Sequence, residues 1–288
     1  MDSDRLKVIH NIKSNVAAGN FNNKVEINDP VLSHKEARAI ADDFLAKRNT
    51  LQYKFKSLIA RLIANAATSV INKNTEIVGE INKDVLLGGA IITSNHFSPI
   101  ENTVIRYYAR KNGVKKLNIV SQATNFAMKG SIGFLMNYAD TIPILTDFRY
   151  LAKELVEVID EKMKKNELVL IYPEQEMWFN YRKPRPHMEG GYHFAAKLGV
   201  PIISCFVEII DEKELDTMDF YKIRFRLHIL GVLYPDKSKS IRENRLELCA
   251  KDYQLKKQAY EQIYNKKLDY KFDPSDIGGW IDYSKAIK

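Results

Sequence analysis

Residues 86–102 read LLGGAIITSNHFSPIEN, which combines the end of a buried strand with the beginning of a helix. The apolar run ends at Thr93. Ser98 followed by Pro99 is typical of a first helical turn, because proline fits the first helical position. His96 therefore lies just beyond a strand, where open α/β sheets place their functional side chains. This stretch predicts an α/β fold with a site at the carboxyl end of its sheet.

Strand–helix alternation continues on both sides of this stretch. We predict strands over 75–80, 85–94, 117–121, 142–145, 168–172, 201–209 and 222–230. We predict helices near 100–112, 147–165, 189–198 and 240–267. Such alternation is typical of a largely parallel or mixed central sheet that is flanked by helices.

The N-terminal quarter of the chain has a different pattern. Residues 1–31 are polar and rich in asparagine, which predicts a lead-in with weak structure. Ser33 and Glu36 form a capping-box pattern at the start of a helix, and a second helix follows over about 55–70. We therefore divide the chain into an N-terminal lead-in and two-helix element, 1–72, and an α/β domain with a C-terminal helix, 73–288.

The second N-terminal helix carries one apolar stripe at helical spacing. Its members are Phe55, Leu58, Ile59, Leu62, Ile63, Ala66 and Val70. A stripe of this kind most often packs on a protein core, and we favour that interpretation. The alternative, a basic amphipathic helix lying on a membrane surface, stays open.

Composition limits the class of protein. Of 288 residues, 45% are hydrophobic and 28% charged, so the chain can bury a core and is not a disordered segment. The formal net charge of +8 suits anionic partners such as phosphates, lipid head groups, coenzyme A, an acidic carrier protein or nucleic acid. Cys205 and Cys249 are too few for a disulfide framework or a zinc module, so we expect a reducing, cytoplasmic setting. No apolar stretch approaches the ~20 residues of a membrane-spanning helix.

His96 is the residue best suited to chemistry. Imidazole titrates near neutral pH, so it can take a proton from a hydroxyl and return it. Glu101, five residues on, could accept the second ring N–H and hold one tautomer, or it could simply cap the helix that starts there. A metal site is not predicted, because His187 and His193 lack the spacing of a helical zinc pair.

A second polar cluster follows the predicted strand 168–172. The chain there delivers Glu174 and Glu176, and the basic residues Arg182, Lys183 and Arg185 come next. Carboxylates beside guanidinium and ammonium groups suit an anionic ligand that also carries hydroxyls. A solvated loop whose charges offset one another is the alternative.

Taken in order, these pieces resemble the lysophospholipid and glycerol-phosphate acyltransferase superfamily over about residues 75–210. The matching blocks are Asn95-His96 followed by four residues and then Glu101, Tyr172-Pro173-Glu174, the Gly190-Gly191 helix, and Val200-Pro201-Ile202-Ile203, with a faint second block over 130–144. The sequence departs from the family in four places, one of which is the loss of the glycine that follows Glu174 in the third block. Glu101 stands where glycerophosphate acyltransferases usually have Asp, although Glu is familiar in the lipid A acyltransferase branch. Met177 and Met188 stand where a phosphate-contacting Arg and a later Lys are expected.

The resemblance implies a glycerol-phosphate-acyltransferase-like fold and O-acyl transfer. The donor would be acyl-CoA or an acyl carrier protein, and the acceptor a hydroxyl of a lysophospholipid or a related envelope lipid or glycolipid. No metal or further cofactor is implied. The protein would work in the cytoplasm, at the cytoplasmic membrane face if the second helix binds lipid.

The resemblance also implies roles for individual residues. His96 would be the general base and Glu101 its orienting partner, with Asn95 and Ser98 near the oxyanion. Substrate contacts would come from Glu174, Glu176, Arg182, Lys183 and Arg185. The helices over 36–71 and the stretch Phe126–Met136 are candidate walls for an acyl chain.

Two other functions compete with acyl transfer. A hydrolase could use His96 and Glu101 to activate water on an ester or thioester. A basic nucleic-acid-binding module is less favoured, because the basic residues are scattered and no nucleic-acid-binding motif is present, so nucleic acid is not an expected partner.

Overall fold

The central element is a seven-stranded mixed sheet, seen in a computed structural model that describes residues 2–283. The strand order is β1-β7-β6-β2-β5-β3-β4. The strands are β1 Glu76–Val78, β2 Ile91–Thr93, β3 Leu117–Gln122, β4 Thr141–Ile144, β5 Leu168–Ile171, β6 Ile202–Leu215 and β7 Tyr221–Leu233. All neighbouring pairs are parallel except β6 and β7, which form an antiparallel hairpin.

β2 lies in the middle of the sheet, between β5 and β6. Ile91 pairs with Val169 on one side and with Ile202 on the other. Every residue of β2 and β5 is buried, as expected for parallel strands covered on both faces. The carboxyl ends of β2 and β5 therefore meet at one edge of the sheet.

Helices cover both faces of the sheet. They are α1 Asp2–Ala18, α2 His34–Lys47, α3 Leu51–Ile71, α4 Lys83–Leu87, α5 Asn102–Lys111, α6 Ala123–Phe126, α7 Gly130–Tyr138, α8 Leu155–Lys164 preceded by a π-helical turn Tyr150–Glu154, α9 Gly190–Leu198 and α10 Ile241–Tyr264. One core cluster joins the sheet to α2, α8, α9 and α10, and a second joins it to α4 and α5. Ile91 and Ile92 belong to different clusters because successive strand residues point to opposite faces.

The predicted fold class is confirmed, and each predicted strand has a counterpart. The strand predicted over 85–94 begins too early, however. Lys83–Leu87 is α4, and the Asn82 side chain caps it by accepting a 2.9 Å hydrogen bond from the Asp84 N–H.

The prediction of a weakly structured lead-in is wrong. α1 buries Val8, Ile9, Ile12 and Val16, which pack with Trp178 and its neighbours in a separate core cluster. The four positions lie on one face of a helix, so burial of that face stabilises α1 despite its polar composition. The division of the chain at residue 72 stays a prediction.

The preferred interpretation of the α3 stripe is also wrong. Phe55, Leu62 and Val70 are 65%, 60% and 77% exposed, whereas α3 buries Ser57, Ala60 and Thr68. The opposite, small-residue face packs inward, where Arg61 makes two hydrogen bonds of 2.6 and 2.7 Å to Asp140. α3 therefore presents its apolar stripe outward. Among the described helices, none is long and apolar enough to cross a membrane.

Candidate active site

His96 lies in the loop that joins β2 to α5, at the carboxyl edge of the sheet. Its ring stacks on Tyr172, which follows β5, with ring centroids 4.0 Å apart and planes inclined by 12°. The His96 side chain keeps 21% of its surface exposed. The ring is thus fixed in orientation and still open to a substrate.

Glu101 holds the other side of this ring. Its Oε1 lies 2.5 Å from His96 Nδ1, and the carboxylate side chain is only 1% exposed. Glu101 occupies the N-cap position of α5 but makes no capping hydrogen bond with its side chain. Instead, Ser98 Oγ accepts a hydrogen bond from the Ile100 N–H at 3.3 Å. The carboxylate therefore orients the imidazole, and Nε2 is the ring nitrogen left to exchange a proton.

Tyr172 adds a hydroxyl to the same cluster. Burial raises the pKa of Tyr172 well above its usual value, and the adjacent Glu101 carboxylate acts in the same direction. The phenol thus stays protonated beside Glu101.

Asn95 has a different role from the predicted one. Its Oδ1 accepts a hydrogen bond from the Val207 N–H at 2.8 Å, and its Nδ2 donates to the Val207 carbonyl at 3.0 Å. The residue is 2% exposed. The predicted oxyanion role of the Asn95 side chain is corrected, because the amide joins β6 instead of facing a substrate. Ser98, which is 7% exposed and bonded to the Ile100 N–H, likewise serves the loop.

Glu174 comes to the same sheet edge as His96, as expected for strands β5 and β2. It accepts hydrogen bonds from the His96 N–H at 3.3 Å and from the Arg185 N–H at 3.1 Å. Because Glu174 is 2% exposed, its predicted contact with acceptor hydroxyls is corrected. Its carboxylate ties the loop after β5 to the backbone of His96.

The three predicted basic ligands do not face His96. Arg185 is fully buried, lies 3.0 Å from Glu174, and donates to the carbonyls of Glu176 and Phe21. These bonds occupy its guanidinium, so the predicted substrate role of Arg185 is corrected.

Lys183 and Arg182 hold the C-terminal segment. Lys183 is buried and pairs with Asp276 at 2.9 Å and with Asp269 at 3.1 Å. Arg182 bonds Asp211 at 2.5 Å and the Ser275 carbonyl at 2.7 Å. Both predicted substrate roles are corrected, since these cations are neutralised by distant parts of the chain.

Glu176 remains available at the sheet edge. It is half-buried, and its Oε1 accepts a 2.7 Å hydrogen bond from Gln122 at the end of β3. Of the predicted substrate ligands, Glu176 alone keeps a position from which a carboxylate oxygen can meet an acceptor.

Glu26 is a neighbour of His96 that the sequence interpretation missed. Burial and the nearby Asp29 raise the pKa of Glu26 to about 7, while the charge of His96 and the Phe179 N–H act in the opposite direction. Its Oε1 is buried and has no hydrogen-bond partner among the described residues. The segment is held in place by a 2.9 Å bond from the Trp178 indole N–H to the Asn23 carbonyl. Only recognition of α1 would have drawn attention to this segment.

A second histidine–carboxylate cluster lies inside the protein. Tyr192 bridges His187 and Asp252 with bonds of 2.7 and 2.5 Å, and Lys256 bonds Asp252 at 2.6 Å and Thr93 at 2.9 Å. The side chains of His187, Asp252 and Lys256 are 0% exposed. This cluster fastens α10 to the end of β2 and has no access to a substrate.

A groove of about 250 Å³ lies between α2, α3 and α7. Its apolar lining includes Ala39, Ile40, Phe44, Tyr53 and Phe126. These residues belong to the two regions predicted as walls for an acyl chain. Within residues 2–283, no group of three His, Cys, Asp or Glu side chains is placed to hold a metal ion.

The match to a family model agrees with the sequence resemblance. Residues 73–208 match the sequence model of the Acyltransferase family, and this segment contains His96, Glu101 and Glu174. The fold is similar to the crystal structure of the 1-acyl-sn-glycerophosphate (LPA) acyltransferase PlsC from Thermotoga maritima, with 15% identity, 82% of this chain and 96% of that chain covered, and a TM-score of 0.49. No curated protein matches the sequence.

Proposed function

We propose that the protein transfers an acyl group from acyl-CoA or an acyl carrier protein to a lipid hydroxyl, a proposal supported by the match of residues 73–208 to the Acyltransferase family. The observation that carries this proposal is the partly exposed His96 ring, held by Glu101 at 2.5 Å within the matched segment. A base with one ring nitrogen fixed and the ring still accessible is what hydroxyl activation requires.

The proposed reaction has two stages at one carbonyl. His96 Nε2 takes the proton of the acceptor hydroxyl while the hydroxyl oxygen bonds to the thioester carbon. The resulting imidazolium is stabilised by Glu101. The tetrahedral intermediate then expels the thiolate, which takes the proton from His96, and the products are an ester and a thiol. Backbone N–H groups at the start of α5 would stabilise the oxyanion, a role that Asn95 cannot supply.

The groove between α2, α3 and α7 is proposed to hold the acyl chain. Its apolar lining suits a hydrocarbon, because burial of each CH₂ stabilises the complex by about 0.8 kcal/mol. The donor carrier, whether coenzyme A or carrier protein, is anionic and compatible with a chain of net charge +8.

The acceptor is proposed to be a lysophospholipid or a related envelope lipid or glycolipid. Glu176 remains the candidate for binding a second hydroxyl. The outward stripe of α3 supports attachment to the membrane that contains such lipids, since exposed apolar patches mark interaction surfaces.

The activity is tested by product analysis. The full chain is incubated with palmitoyl-CoA or palmitoyl carrier protein, with and without 1-acylglycerol-3-phosphate, monoacylglycerol or a lysophosphatidylglycerol. We expect esterified product in proportion to released thiol, and only when an acceptor is present. Release of free fatty acid at the same rate with and without acceptor would instead establish the hydrolase alternative.

Attachment to membranes is tested by flotation with vesicles of phosphatidylglycerol and phosphatidylcholine. We expect the wild-type chain to float at low salt and Leu62→Asp to remain in the soluble fraction, because the substitution places a charge in the apolar stripe. Leu215→Asp, on an exposed hairpin position away from α3, is the matched control. Equal flotation of both variants would exclude α3 as the membrane contact.

A further inference from the structure

A second cavity, of about 360 Å³, lies at the edge of the sheet opposite to His96. Its lining includes Lys116 and Asn118 at the start of β3, Thr141 at the start of β4, and Lys165 just before β5. His96 and Glu174 follow the carboxyl ends of parallel strands, whereas these residues stand at the amino ends. The cavity therefore lies at the other end of the strands from His96 and Glu101.

The cavity is strongly basic. Six cationic side chains and two carboxylates line it; the cations are Arg48, Lys54, Arg61, Lys116, Lys162 and Lys165. The carboxylates are already engaged, because Asp140 bonds Arg61 at 2.6 Å and Glu161 bonds Lys165 at 2.5 Å and also bonds Arg48. An excess of positive charge remains in a concave site.

The other lysines of the cavity are only partly neutralised by nearby carboxylates. Lys116 pairs with Glu167 at 3.1 Å, and Lys162 stands 3.8 Å from the same carboxylate. Burial lowers the pKa of Lys162, and the negative charge of Glu167 opposes this shift. The positive charges of Lys116 and Lys165 lower the pKa further. Lys54 makes no ion pair with any described residue. An anion in the cavity would relieve this repulsion.

The cavity is continuous with the apolar stripe of α3. Lys54 and Leu58, which both line it, belong to α3, and Leu58 is 48% exposed. Phe55 and Leu62 extend the exposed stripe on the same helix. At a bilayer surface, lipid phosphates lie next to acyl chains. A basic cavity beside exposed apolar side chains can contact both.

We propose that this basic cavity binds the phosphate of an anionic phospholipid head group. The lipid is a ligand of the membrane surface and differs from the acyl acceptor, which reacts at the opposite edge of the sheet. Inorganic phosphate carries the same charged oxygens, so the experiment below distinguishes the lipid from the free ion.

The test is calorimetric titration of the full chain at low salt with dihexanoyl phosphatidylglycerol, dihexanoyl phosphatidylcholine and inorganic phosphate. We expect the anionic lipid to bind at least tenfold more tightly than either other probe. The double variant Lys54→Glu/Lys116→Glu should weaken that binding at least tenfold. Lys213→Glu/Lys237→Glu, with the same change in net charge at exposed positions elsewhere, should leave it unchanged.

Three results would overturn the proposal. Equal loss in both double variants would show a general charge effect, and no loss in either would place the lipid elsewhere. Inorganic phosphate that binds as tightly as the lipid and displaces it would make the ligand a free ion. If loss of the Lys116 pair with Glu167 unfolds the double variant, the exposed single variant Lys54→Glu must still weaken binding about threefold.

The catalytic proposal is tested separately. His96→Ala should bind dihexanoyl phosphatidylglycerol as the wild type does, whatever its acyl-transfer activity. Lipid binding that disappears in His96→Ala would assign the lipid to the catalytic edge and remove the second site.

Discussion

The protein contains two histidine–carboxylate clusters that differ mainly in access to solvent. His96 and Glu101 form a pair at the sheet edge, with 21% of the His96 side chain exposed. His187 and Asp252 are joined through Tyr192 and are completely enclosed. The same functional groups thus serve two purposes in one chain.

Electrostatics reinforces the difference between the clusters. Burial, with a further contribution from Lys256, lowers the pKa of His187 to about 3, so the ring stays neutral at any physiological pH. Burial tends to raise the pKa of Asp252, but Lys256 and the hydrogen bonds outweigh it and lower the pKa to about 2. The inner cluster holds a fixed charge state, as a structural element should. A catalytic histidine must instead gain and lose a proton in each cycle.

The largest expected effect follows removal of the exposed ring. His96→Ala should lower turnover by about a hundredfold or more, the usual contribution of a general base, and leave the melting temperature unchanged. Initial rates of thiol release and differential scanning calorimetry measure the two quantities. His34→Ala, at an exposed histidine, is the control. Undiminished turnover in His96→Ala would refute the proposed mechanism.

Removal of the inner carboxylate should act on stability instead. Asp252→Ala leaves Lys256 buried without its partner, and breaking such a pair costs about 3–5 kcal/mol of unfolding free energy. Urea denaturation monitored by tryptophan fluorescence measures this loss. Glu157→Ala, at an exposed position, is expected to change stability by about 0.5 kcal/mol or less. A stable Asp252→Ala protein with reduced turnover would mean that the inner cluster has a catalytic role.

A smaller effect on turnover is expected when Glu101, the partner of the His96 ring, is changed. Glu101→Gln keeps the shape of the side chain but removes the charge that stabilises the imidazolium. Turnover should fall, but by less than in His96→Ala, because the general base itself remains. A lower melting temperature with normal turnover would show that Glu101 serves only the start of α5.

The smallest effect concerns Glu26, the partly buried carboxyl group near His96. Its raised pKa means that the folded chain keeps a proton which the unfolded chain loses between about pH 4.5 and 7. Folding stability therefore falls as the pH rises through this window. The glutamine of Glu26→Gln does not titrate, so the variant does not lose this stability as the pH rises. Its melting temperature should exceed that of the wild type by more at pH 8 than at pH 5. An equal difference in melting temperature at the two pH values would contradict the assignment, and Glu80→Gln, at an exposed position, serves as a control.

The sequence predicted the elements whose patterns are local. Apolar runs such as 168–171 predicted the central strands. Because His96, Glu101 and Glu174 follow the ends of predicted strands, they were expected at one sheet edge. The contact of Glu101 with the ring was one of two alternatives that spacing alone could not separate. The structure distinguishes them through the 2.5 Å distance.

Long-range partners could not be predicted in this way. Lys183 is neutralised by Asp276, and Arg185 by Glu174 and the carbonyl of Phe21, so loop cations that suggested a phosphate site are structural. The stripe on α3 was predicted to be buried and is exposed, because periodicity does not indicate which surface of a helix its neighbours cover.

The bonds between Asn95 and Val207 explain why an amide precedes the His96 ring. A primary amide offers one carbonyl oxygen and an N–H in nearly the arrangement of a peptide group, so the side chain imitates one more residue of β2 after the backbone has turned away. The imidazole next to it is then anchored to strand β6 of the central sheet. Aspartate has almost the same shape, but its carboxylate would oppose the Val207 carbonyl. Asn95→Asp would therefore lose one of the two bonds that hold the residue before His96 to β6.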